Sequence, residues 1–433
     1  MLEIQTKPLA PREDKLTNFI DNVATAKERM SSILDATPCQ KNVYLSQKFD
    51  ANIYLKREDL TPVRSYKLRG AYNFISKALD ENPEHKGAFV CASAGNHAQG
   101  FAFCCAHFGV KGTIFMPVTT PQQKIDKTRA FGGANIEIKL IGDIFDQCYS
   151  AALSFADEQR ALMVPPFDHA DIIEGQATIA HEILEQLDGE PLDLIIMPVG
   201  GGGLAAGVTA YLTHTSPKTE ILLVEPQGAP SLKTSLQQGK RVKLQAIDNF
   251  VDGAAVAQVG ALNFEMLEHL PADIVTLVPE NRLCATIVEM LNIEGMVLEP
   301  AGALSIDVLS ALPPEKLNGK NIVCVTSGGN FDFERLPEVK EKALKYSGLK
   351  KYFILRMPQR PGALKDFLNM LGPHDDIARF EYLKKSARNF GTVLMGIETN
   401  DPANFEALKA KLIEGDFGFQ DITENDLLSS LIV

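Results

Sequence analysis

Short runs of apolar residues alternate with longer amphipathic segments along most of the chain. The runs are rich in β-branched residues, and segments of helical period separate most of them. They are GAFVCAS (87–93), GTIFMPV (112–118), NIEIKLI (135–141), LDLIIMPV (192–199), ILLVEP (221–226) and NIVCVTS (321–327). Because strands buried on both faces lack polar alternation, the pattern predicts an α/β fold with mostly parallel sheets.

The pattern changes near residue 340. The stretch LKYSGLKK (344–351) is typical of a linker, and strand and helix patterns then follow in the order βαββα. We therefore predict a large α/β domain over 1–340, a linker over 341–351 and a small α+β domain over 352–433.

Composition narrows the functional classes. The chain has 433 residues and a net charge of −12 without a Lys/Arg cluster, so we expect no nucleic-acid binding. Its seven cysteines are scattered and contain no CxxC pair, which favours a reducing cytoplasm over a disulfide framework or a zinc site. Two uncharged runs, 87–110 and 194–217, contain several glycines, so we interpret them as strand–turn–helix units and expect no membrane span.

Parallel sheets bind ligands beyond the carboxyl ends of their strands. The strand predicted over 192–199 leads into GGGGLAAG (200–207) and then a helix. Glycines there let backbone N–H groups approach a bulky anion, and a helix N-terminus adds positive potential. The stretch therefore predicts a phosphate site.

The same stretch also satisfies the dinucleotide pattern G-x-G-x-x-G/A, through Gly200, Gly202 and Ala205. Glu225 follows at the end of the next predicted strand, where a ribose-binding acid is expected. A nicotinamide-dependent oxidoreductase is thus an alternative, but it leaves three other loops without a role.

The first of these loops, SAGNHAQG (93–100), brings backbone N–H groups and Asn96 toward a carboxylate. His97 in this loop is a candidate catalyst or, alternatively, a packing or capping residue. The second loop, SGGN (327–330), presents the hydroxyl of Ser327, and the third, SYKLRG (65–70), presents Lys67. A lysine nucleophile, a phosphate cradle, a carboxylate loop and a neutral hydroxyl are together the groups that pyridoxal 5′-phosphate (PLP) requires.

Seven motifs in order over about 30–335 resemble biosynthetic threonine dehydratase, the L-threonine ammonia-lyase family. They are YLKREDL, SYKLRGAY, ASAGNHAQG, PPFDH, PVGGGGLAAG, EPAGALS and SGGN. The resemblance implies a tryptophan-synthase-β-like, fold type II PLP enzyme with two α/β lobes, the smaller inserted over roughly 68–165. It implies that Lys67 holds PLP as an imine, Asn96 bonds the ring hydroxyl, Ser327 faces the pyridine nitrogen, and Gly200, Gly201, Gly202, Gly203 and Leu204 hold the phosphate. Substrate would be bound by Ser93, Ala94, Gly95, Asn96 and His97.

By the same resemblance, the reaction is dehydration and deamination of L-threonine to 2-oxobutanoate and ammonia, the first step of isoleucine biosynthesis. Lys67 and Ser327 would be the catalytic residues. Serine racemases carry a serine where this chain has Ala94, so we expect elimination with little racemisation. A catabolic serine/threonine dehydratase is a further alternative, and a catalytically inactive amino-acid sensor is disfavoured because Lys67 and Ser327 are intact.

The tail resembles the ACT-like regulatory domain of the same family. The resemblance implies a homotetramer inhibited by isoleucine, with valine as antagonist, and effector binding near RPGAL (360–364). A dimerisation module without a ligand is the alternative. Some relatives bind a cation near the positions of Glu225 and Ala229, but a strand-end glutamate is more often a solvated charge, so we predict no metal site.

Overall fold

The computed structural model describes residues 13–81, 89–383 and 389–425. These residues form two compact units. The first comprises the chain up to Glu280 together with Met290–Asp332, and the second comprises Asn281–Glu289 together with the chain from Phe333 onward.

A six-stranded sheet forms the centre of the larger lobe of the first unit. Its strands are β1 (Cys39–Lys41), β2 (Asn52–Arg57), β7 (Leu194–Pro198), β8 (Glu220–Pro226), β9 (Val275–Val278) and β10 (Asn321–Thr326). Their order is β1-β2-β10-β7-β8-β9, and all neighbours are parallel except β1 and β2. Every residue of β7 and β10 is buried, which explains why these runs lack polar alternation.

A four-stranded sheet forms the smaller lobe. Its strands are β3 (Phe89–Ala92), β4 (Gly112–Met116), β5 (Ile136–Leu140) and β6 (Leu162–Met163), in the order β5-β4-β3-β6. All of its neighbouring strands are parallel. These strands follow β2 and precede β7 in the chain, so the smaller lobe is inserted into the larger one. Each of the six apolar runs coincides with one of the observed strands to within two residues at either end, which confirms the predicted α/β pattern.

Helices pack against the strands of both sheets. Those up to residue 186 are α1 (Glu13–Met30), α2 (Val43–Phe49), α3 (Lys67–Glu81), α4 (Asn96–Phe108), α5 (Gln122–Gly132), α6 (Phe145–Gln159) and α7 (Ala170–Gln186). The next are α8 (Gly203–Thr215), α9 (Ser231–Gln238), α10 (Ala261–Leu267), α12 (Pro300–Asp307) and α13 (Pro314–Leu317). Most of α11 (Glu280–Glu294) belongs to the second unit. None of the helices in the described ranges has both the length and the hydropathy needed to cross a bilayer.

A buried network of charges fixes the position of α3. Arg69 Nη1 lies 2.7 Å from Glu182 Oε1, and Arg69 Nε lies 2.8 Å from Glu58 Oε2. Lys56 Nζ lies 2.5 Å from the other oxygen of Glu182. Burial opposes ionisation of Glu182, but Arg69 and Lys56 overcome this and lower its pKa to about 2. The network therefore joins α3, which begins at Lys67, to α7 and to the end of β2.

The second unit contains a four-stranded antiparallel sheet of order β12-β13-β11-β14. Its elements are α14 (Leu336–Tyr346), β11 (Lys350–Pro358), α15 (Ala363–Leu368), β12 (Asp376–Leu383), β13 (Phe390–Glu398), α16 (Ala403–Glu414) and β14 (Gly418–Asp421). The predicted βαββα order is present, and one further strand follows it. Phe353, Phe367 and Phe405 are fully or almost fully buried and join the sheet to its helices.

Two segments of this unit differ in detail from the sequence pattern. Residues 341–351, suggested as a linker, contain the end of α14 and the start of β11, because Val339 and Ala343 are buried on α14. The sequence PGALKDFLNML predicts the first helix of this order over 361–371, but the helix begins at Ala363, since Gly362 adopts a left-handed conformation with φ 86°. The second strand of the predicted βαββα order spans 377–385, and its residues 384 and 385 lie outside the described residues.

Candidate active site

Lys67 is half-buried at the first position of α3. Its Nζ donates a hydrogen bond of 2.9 Å to the carbonyl oxygen of Pro166. The same atom lies 5.1 Å from the ring centre of Tyr66 and 5.8 Å from that of Phe167. The backbone N–H of Tyr66 donates to the carbonyl of Ser327 at 3.1 Å, which ties this segment to the end of β10. The amine is therefore held among protein groups and does not extend into open solvent.

The glycine bend, Gly200–Gly203, connects β7 to α8. Gly202 has φ 95°, a backbone conformation that residues other than glycine rarely adopt. Within the described ranges, no backbone oxygen accepts a hydrogen bond from the N–H groups of Gly200 through Leu204. These amides precede or begin a helix of 13 residues and are mostly buried. Their arrangement fits the phosphate group of PLP.

The glycines of the bend are also required by protein packing. A Cβ atom at Gly201 would lie 2.2 Å from the ring of Phe167, and one at Gly203 would lie 2.9 Å from the Phe167 carbonyl oxygen. At Gly200 the nearest atom would be the Cα of Ala254, at 3.0 Å. The sequence pattern suggested glycine for the approach of a ligand, whereas the structure shows that the bend also packs closely on neighbouring protein atoms.

Asn96 begins α4 and has a fixed side-chain orientation. Its Oδ1 accepts a hydrogen bond of 2.8 Å from Asn330 Nδ2. Its Nδ2 donates a hydrogen bond of 2.6 Å to Glu299 Oε1. The second hydrogen on Nδ2 is left for another acceptor, so Asn96 can donate to the ring hydroxyl of PLP.

Glu299 is the N-cap residue of α12 and is buried beside this amide. Burial raises its pKa to about 7, and repulsion from Asp252 adds to the shift while the Asn96 hydrogen bond opposes it. A Cβ atom at Gly328 would lie 2.2 Å from Glu299 Oε1 and 3.3 Å from Asn96 Nδ2. The loop after β10 and the loop after β3 therefore meet at this carboxyl group.

Ser93, Ala94 and Gly95 form the half-buried connection between β3 and α4. The hydroxyl oxygen of Ser93 accepts a hydrogen bond of 3.2 Å from the backbone N–H of Gly95. A Cβ atom at Gly95 would meet no other atom within 4 Å, so this turn borders open space. The connection is accessible to a small carboxylate.

His97 belongs to the interior of the smaller lobe. It is 3% exposed, and its Nε2 lies 2.9 Å from the carbonyl oxygen of Val164. Burial lowers its pKa to about 4, and the positive charge of Lys67 lowers it further. The imidazole is thus neutral and engaged in packing, which agrees with the packing alternative; only its backbone remains a candidate for substrate contact.

Glu225 does not face a ribose or a cation. It is fully buried and accepts hydrogen bonds from the N–H groups of Leu232, at 2.7 Å, and Lys233, at 2.9 Å, in the first turn of α9. Burial raises its pKa to about 7. The carboxyl group therefore serves as a helix cap, and the dinucleotide alternative loses the acid on which it depends. Over the described part of the chain, no three His, Cys, Asp or Glu side chains cluster as a metal site would require.

The structure brings Lys67, Asn96, Ser327 and the glycine bend together at the carboxyl ends of β3, β7 and β10. Ser327 is 2% exposed and directly follows β10. The segment containing Pro166 and Phe167 joins Lys67 to the bend, a role that the motif PPFDH alone does not indicate. Asn263 was not predicted, because a single amide in a short helix carries no periodic or spacing signal. Asn330 lies in the motif SGGN, but the motif alone does not indicate its hydrogen bond to Asn96.

Two family models match the chain. A model described as pyridoxal-phosphate dependent enzyme matches residues 31–328, and one described as C-terminal regulatory domain of threonine dehydratase matches residues 341–432. The first range contains Lys67, Asn96, Ser327 and the glycine bend.

Curated relatives match nearly the whole chain. A biosynthetic L-threonine dehydratase from Staphylococcus saprophyticus is 46% identical and covers 97% of this chain and 99% of its own length. One from Bacillus subtilis is 44% identical and covers 99% of this chain and 100% of its own length. Among solved structures, the processed form of threonine deaminase isoform 2 from Solanum lycopersicum has a TM-score of 0.73 at 38% identity, over 78% of this chain and 90% of its own.

Proposed function

The chain belongs to the pyridoxal-phosphate-dependent enzymes and, over nearly its whole length, to the biosynthetic L-threonine dehydratases, and on this premise we propose that it converts L-threonine to 2-oxobutanoate and ammonia. PLP is the cofactor, as the sequence predicted. The observation that best supports the assignment of roles is the convergence of Lys67, Asn96 and the glycine bend on one site. In a biosynthetic pathway this reaction begins the formation of isoleucine.

Three groups of this chain would hold the cofactor. Lys67 would bind it covalently through Nζ, and the N–H groups of Gly200 through Leu204 would bind its phosphate. Asn96 would donate its remaining N–H to the ring hydroxyl. Ser327 would face the pyridine nitrogen with a neutral hydroxyl. A hydroxyl does not stabilise a protonated pyridine nitrogen as a carboxylate would, so the ring would withdraw less electron density from the substrate.

PLP, when bound, withdraws electrons from Cα of an attached amino acid and so makes the Cα proton acidic. The amine of Lys67, once displaced by the substrate, would accept that proton as general base. The resulting ammonium can then protonate the hydroxyl group that leaves Cβ. The N–H groups and side chains of Ser93–Asn96 would hold the substrate carboxylate during both transfers.

The methyl side chain of Ala94 would favour elimination over racemisation. Racemisation requires a proton donor on the face of Cα opposite Lys67, and Ala94 offers no hydroxyl there. His97 cannot replace it, because its imidazole is buried against Val164. We therefore expect the L-substrate to lose water without forming its D-isomer.

The decisive experiment measures 2-oxobutanoate from L-threonine with the wild type and with Lys67→Ala. The wild type should be yellow and active, and borohydride should fix the colour to Lys67. The variant should lose activity by at least about a thousandfold, since it lacks both the covalent attachment and the base. Comparable turnover by the variant, or nicotinamide-dependent turnover by the wild type, would refute the proposal.

The second unit supports a proposal about regulation. Its family model is that of a regulatory domain, which agrees with small-molecule effector binding. We propose that isoleucine is the inhibitor, that valine opposes it, and that the enzyme is a homotetramer in the cytoplasm. Seven free cysteine thiols support a reducing compartment.

A further inference from the structure

Asn263 lies in the first turn of α10 and is completely buried. Its Nδ2 donates a hydrogen bond of 2.8 Å to the carbonyl oxygen of Gly201 and is 3.3 Å from that of Phe167. The carbonyl of Gly201 also accepts a hydrogen bond of 3.0 Å from the backbone N–H of Gly260. One carbonyl of the glycine bend is therefore anchored from two sides.

This anchor determines the direction of the next amide. In a trans peptide the carbonyl of one residue and the N–H of the following residue point in opposite directions. Holding the Gly201 oxygen toward Asn263 therefore aims the N–H of Gly202 away from α10. Glycine on both sides of this peptide makes its rotation easy, so the bend itself does not fix the orientation. A rotated peptide would present a carbonyl oxygen, which repels phosphate.

Within the residues that the structure describes, the side-chain amide of Asn263 is hydrogen-bonded at its nitrogen but not at its oxygen. Its Oδ1 is buried and has no hydrogen-bond partner in the described part of the chain. An unsatisfied buried acceptor destabilises a fold, whereas an apolar residue of the same size does not incur that cost. The useful part of this side chain is therefore its Nδ2 donor, which an apolar residue could not supply.

Asp168 holds the helix that carries Asn263. Its carboxylate accepts hydrogen bonds of 2.7 Å from the N–H of Ala261 and 2.9 Å from that of Leu262. Asp168 directly follows Phe167, whose ring packs on Gly201. The motif PPFDH therefore supports the bend both through the Phe167 ring and through α10.

We propose that Asn263 is a positioning residue of the cofactor site, which fixes the Gly201–Gly202 peptide so that the N–H of Gly202 points toward the PLP phosphate. The role rests on the PLP-dependent function proposed above.

The test compares Asn263→Leu with Asn73→Leu. Asn73 is also completely buried, its Nδ2 donates a hydrogen bond of 2.8 Å to the Asp171 carbonyl, and its Oδ1 is also unsatisfied. The two substitutions therefore remove equivalent groups, but only one of them touches the glycine bend. For each protein we would measure the dissociation constant of PLP by titrating the apoenzyme, and the ³¹P chemical shift of the cofactor phosphate in the holoenzyme.

Asn263→Leu should weaken PLP binding at least about tenfold and shift the ³¹P signal, because one amide donor is misdirected. Asn73→Leu should leave the dissociation constant within about twofold of the wild-type value and the ³¹P chemical shift unchanged. Wild-type affinity and an unchanged ³¹P signal in Asn263→Leu would overturn the proposal.

A second variant keeps the test valid if Asn263→Leu does not fold. Asn263→Ala removes the donor to the Gly201 carbonyl without placing a larger apolar group in the buried position, so it too should weaken PLP binding at least about tenfold. Unchanged binding in Asn263→Ala would likewise overturn the role. Failure of the wild type to bind PLP would refute the proposed function instead, which separates the two conclusions.

Discussion

Asn96 Nδ2 lies 2.6 Å from Glu299 Oε1, so a buried carboxyl group directly contacts the amide proposed to bind the PLP ring. Burial raises the pKa of this carboxyl group to about 7. The charge state of Glu299 therefore changes within the physiological range, and the hydrogen bond to Asn96 becomes charge-assisted only when the proton leaves.

Glu299 should make the cofactor-free protein less stable as the pH rises. Because its folded pKa is raised from 4.5 to about 7, the folded state binds the proton more tightly than the unfolded chain does. Its contribution to stability is complete below 4.5 and is lost as the pH rises through about 7. Relative to Glu299→Gln, which does not titrate, the wild type should lose about 3 kcal/mol across this window, as measured by urea unfolding. Glu158→Gln, at an exposed site, serves as control, and parallel curves for wild type and Glu299→Gln would contradict the prediction.

Ala94→Ser should introduce racemisation. The hydroxyl would provide a proton donor on the face of Cα that Ala94 leaves apolar, while Lys67 continues to remove the proton from the other face. We expect D-isomer from L-serine or L-threonine, measured by chiral chromatography, with elimination retained. If the wild type already forms D-isomer at a comparable rate, the role assigned to Ala94 is wrong.

Arg69→Met should destabilise the fold by about 3–5 kcal/mol, because it leaves the buried carboxylates of Glu58 and Glu182 without their main partner. Arg29 pairs with Asp80 at the surface, at 3.3 Å, and Arg29→Met should cost less than about 1 kcal/mol. Denaturant unfolding of both variants checks the difference. Equal losses would show that the buried network does not stabilise α3.

Isoleucine should shift the threonine saturation curve of the full-length enzyme to higher threonine concentration, and valine should reverse the shift. This follows if isoleucine binds the less active state more tightly, and the coupling must then be reciprocal. Initial rates over a threonine series with and without isoleucine test it. A curve that isoleucine leaves unmoved would exclude this form of regulation.

Gly362→Ala should weaken the isoleucine response while leaving basal activity intact. Gly362 lies in RPGAL with φ 86°, so alanine would strain or rearrange this turn by about 1–2 kcal/mol. At Gly418 a Cβ atom would make only ordinary contacts, at 3.5 Å or more, so Gly418→Ala is the matched control. Equal isoleucine responses in the two variants would argue against an effector site at this turn.

The hydrophobic pattern predicts the longer buried strands because each contributes several consecutive apolar residues. It does not predict β1, β6 or β9, which have only 3, 2 and 4 residues. The strand β2 is also missed, since it contains Lys56 and Arg57. Lys56 is fully buried because Glu182 compensates its charge, and such pairing over 126 positions leaves no local signal.

The site residues also divide into those with a local sequence signal and those identified only by a distant contact. The sequence indicates the residues that lie next to predicted strands or in distinctive motifs, which are Lys67, Asn96, Ser327 and the glycine bend. Asn263 acts across 62 positions and has no motif of its own, so only the three-dimensional contact identifies it. His97 shows the converse, because a histidine within a distinctive motif is here a packing residue.

The turn proposed to bind the substrate and the bend proposed to bind the phosphate follow strands of different sheets. Ser93–Gly95 extends from β3 of the smaller lobe, whereas Gly200–Gly203 extends from β7 of the larger lobe. Directed evolution toward a bulkier amino acid can therefore randomise the first segment and leave the second untouched. Libraries confined to 93–95 should yield altered preference at a lower rate of cofactor loss than libraries of equal size spread over both segments.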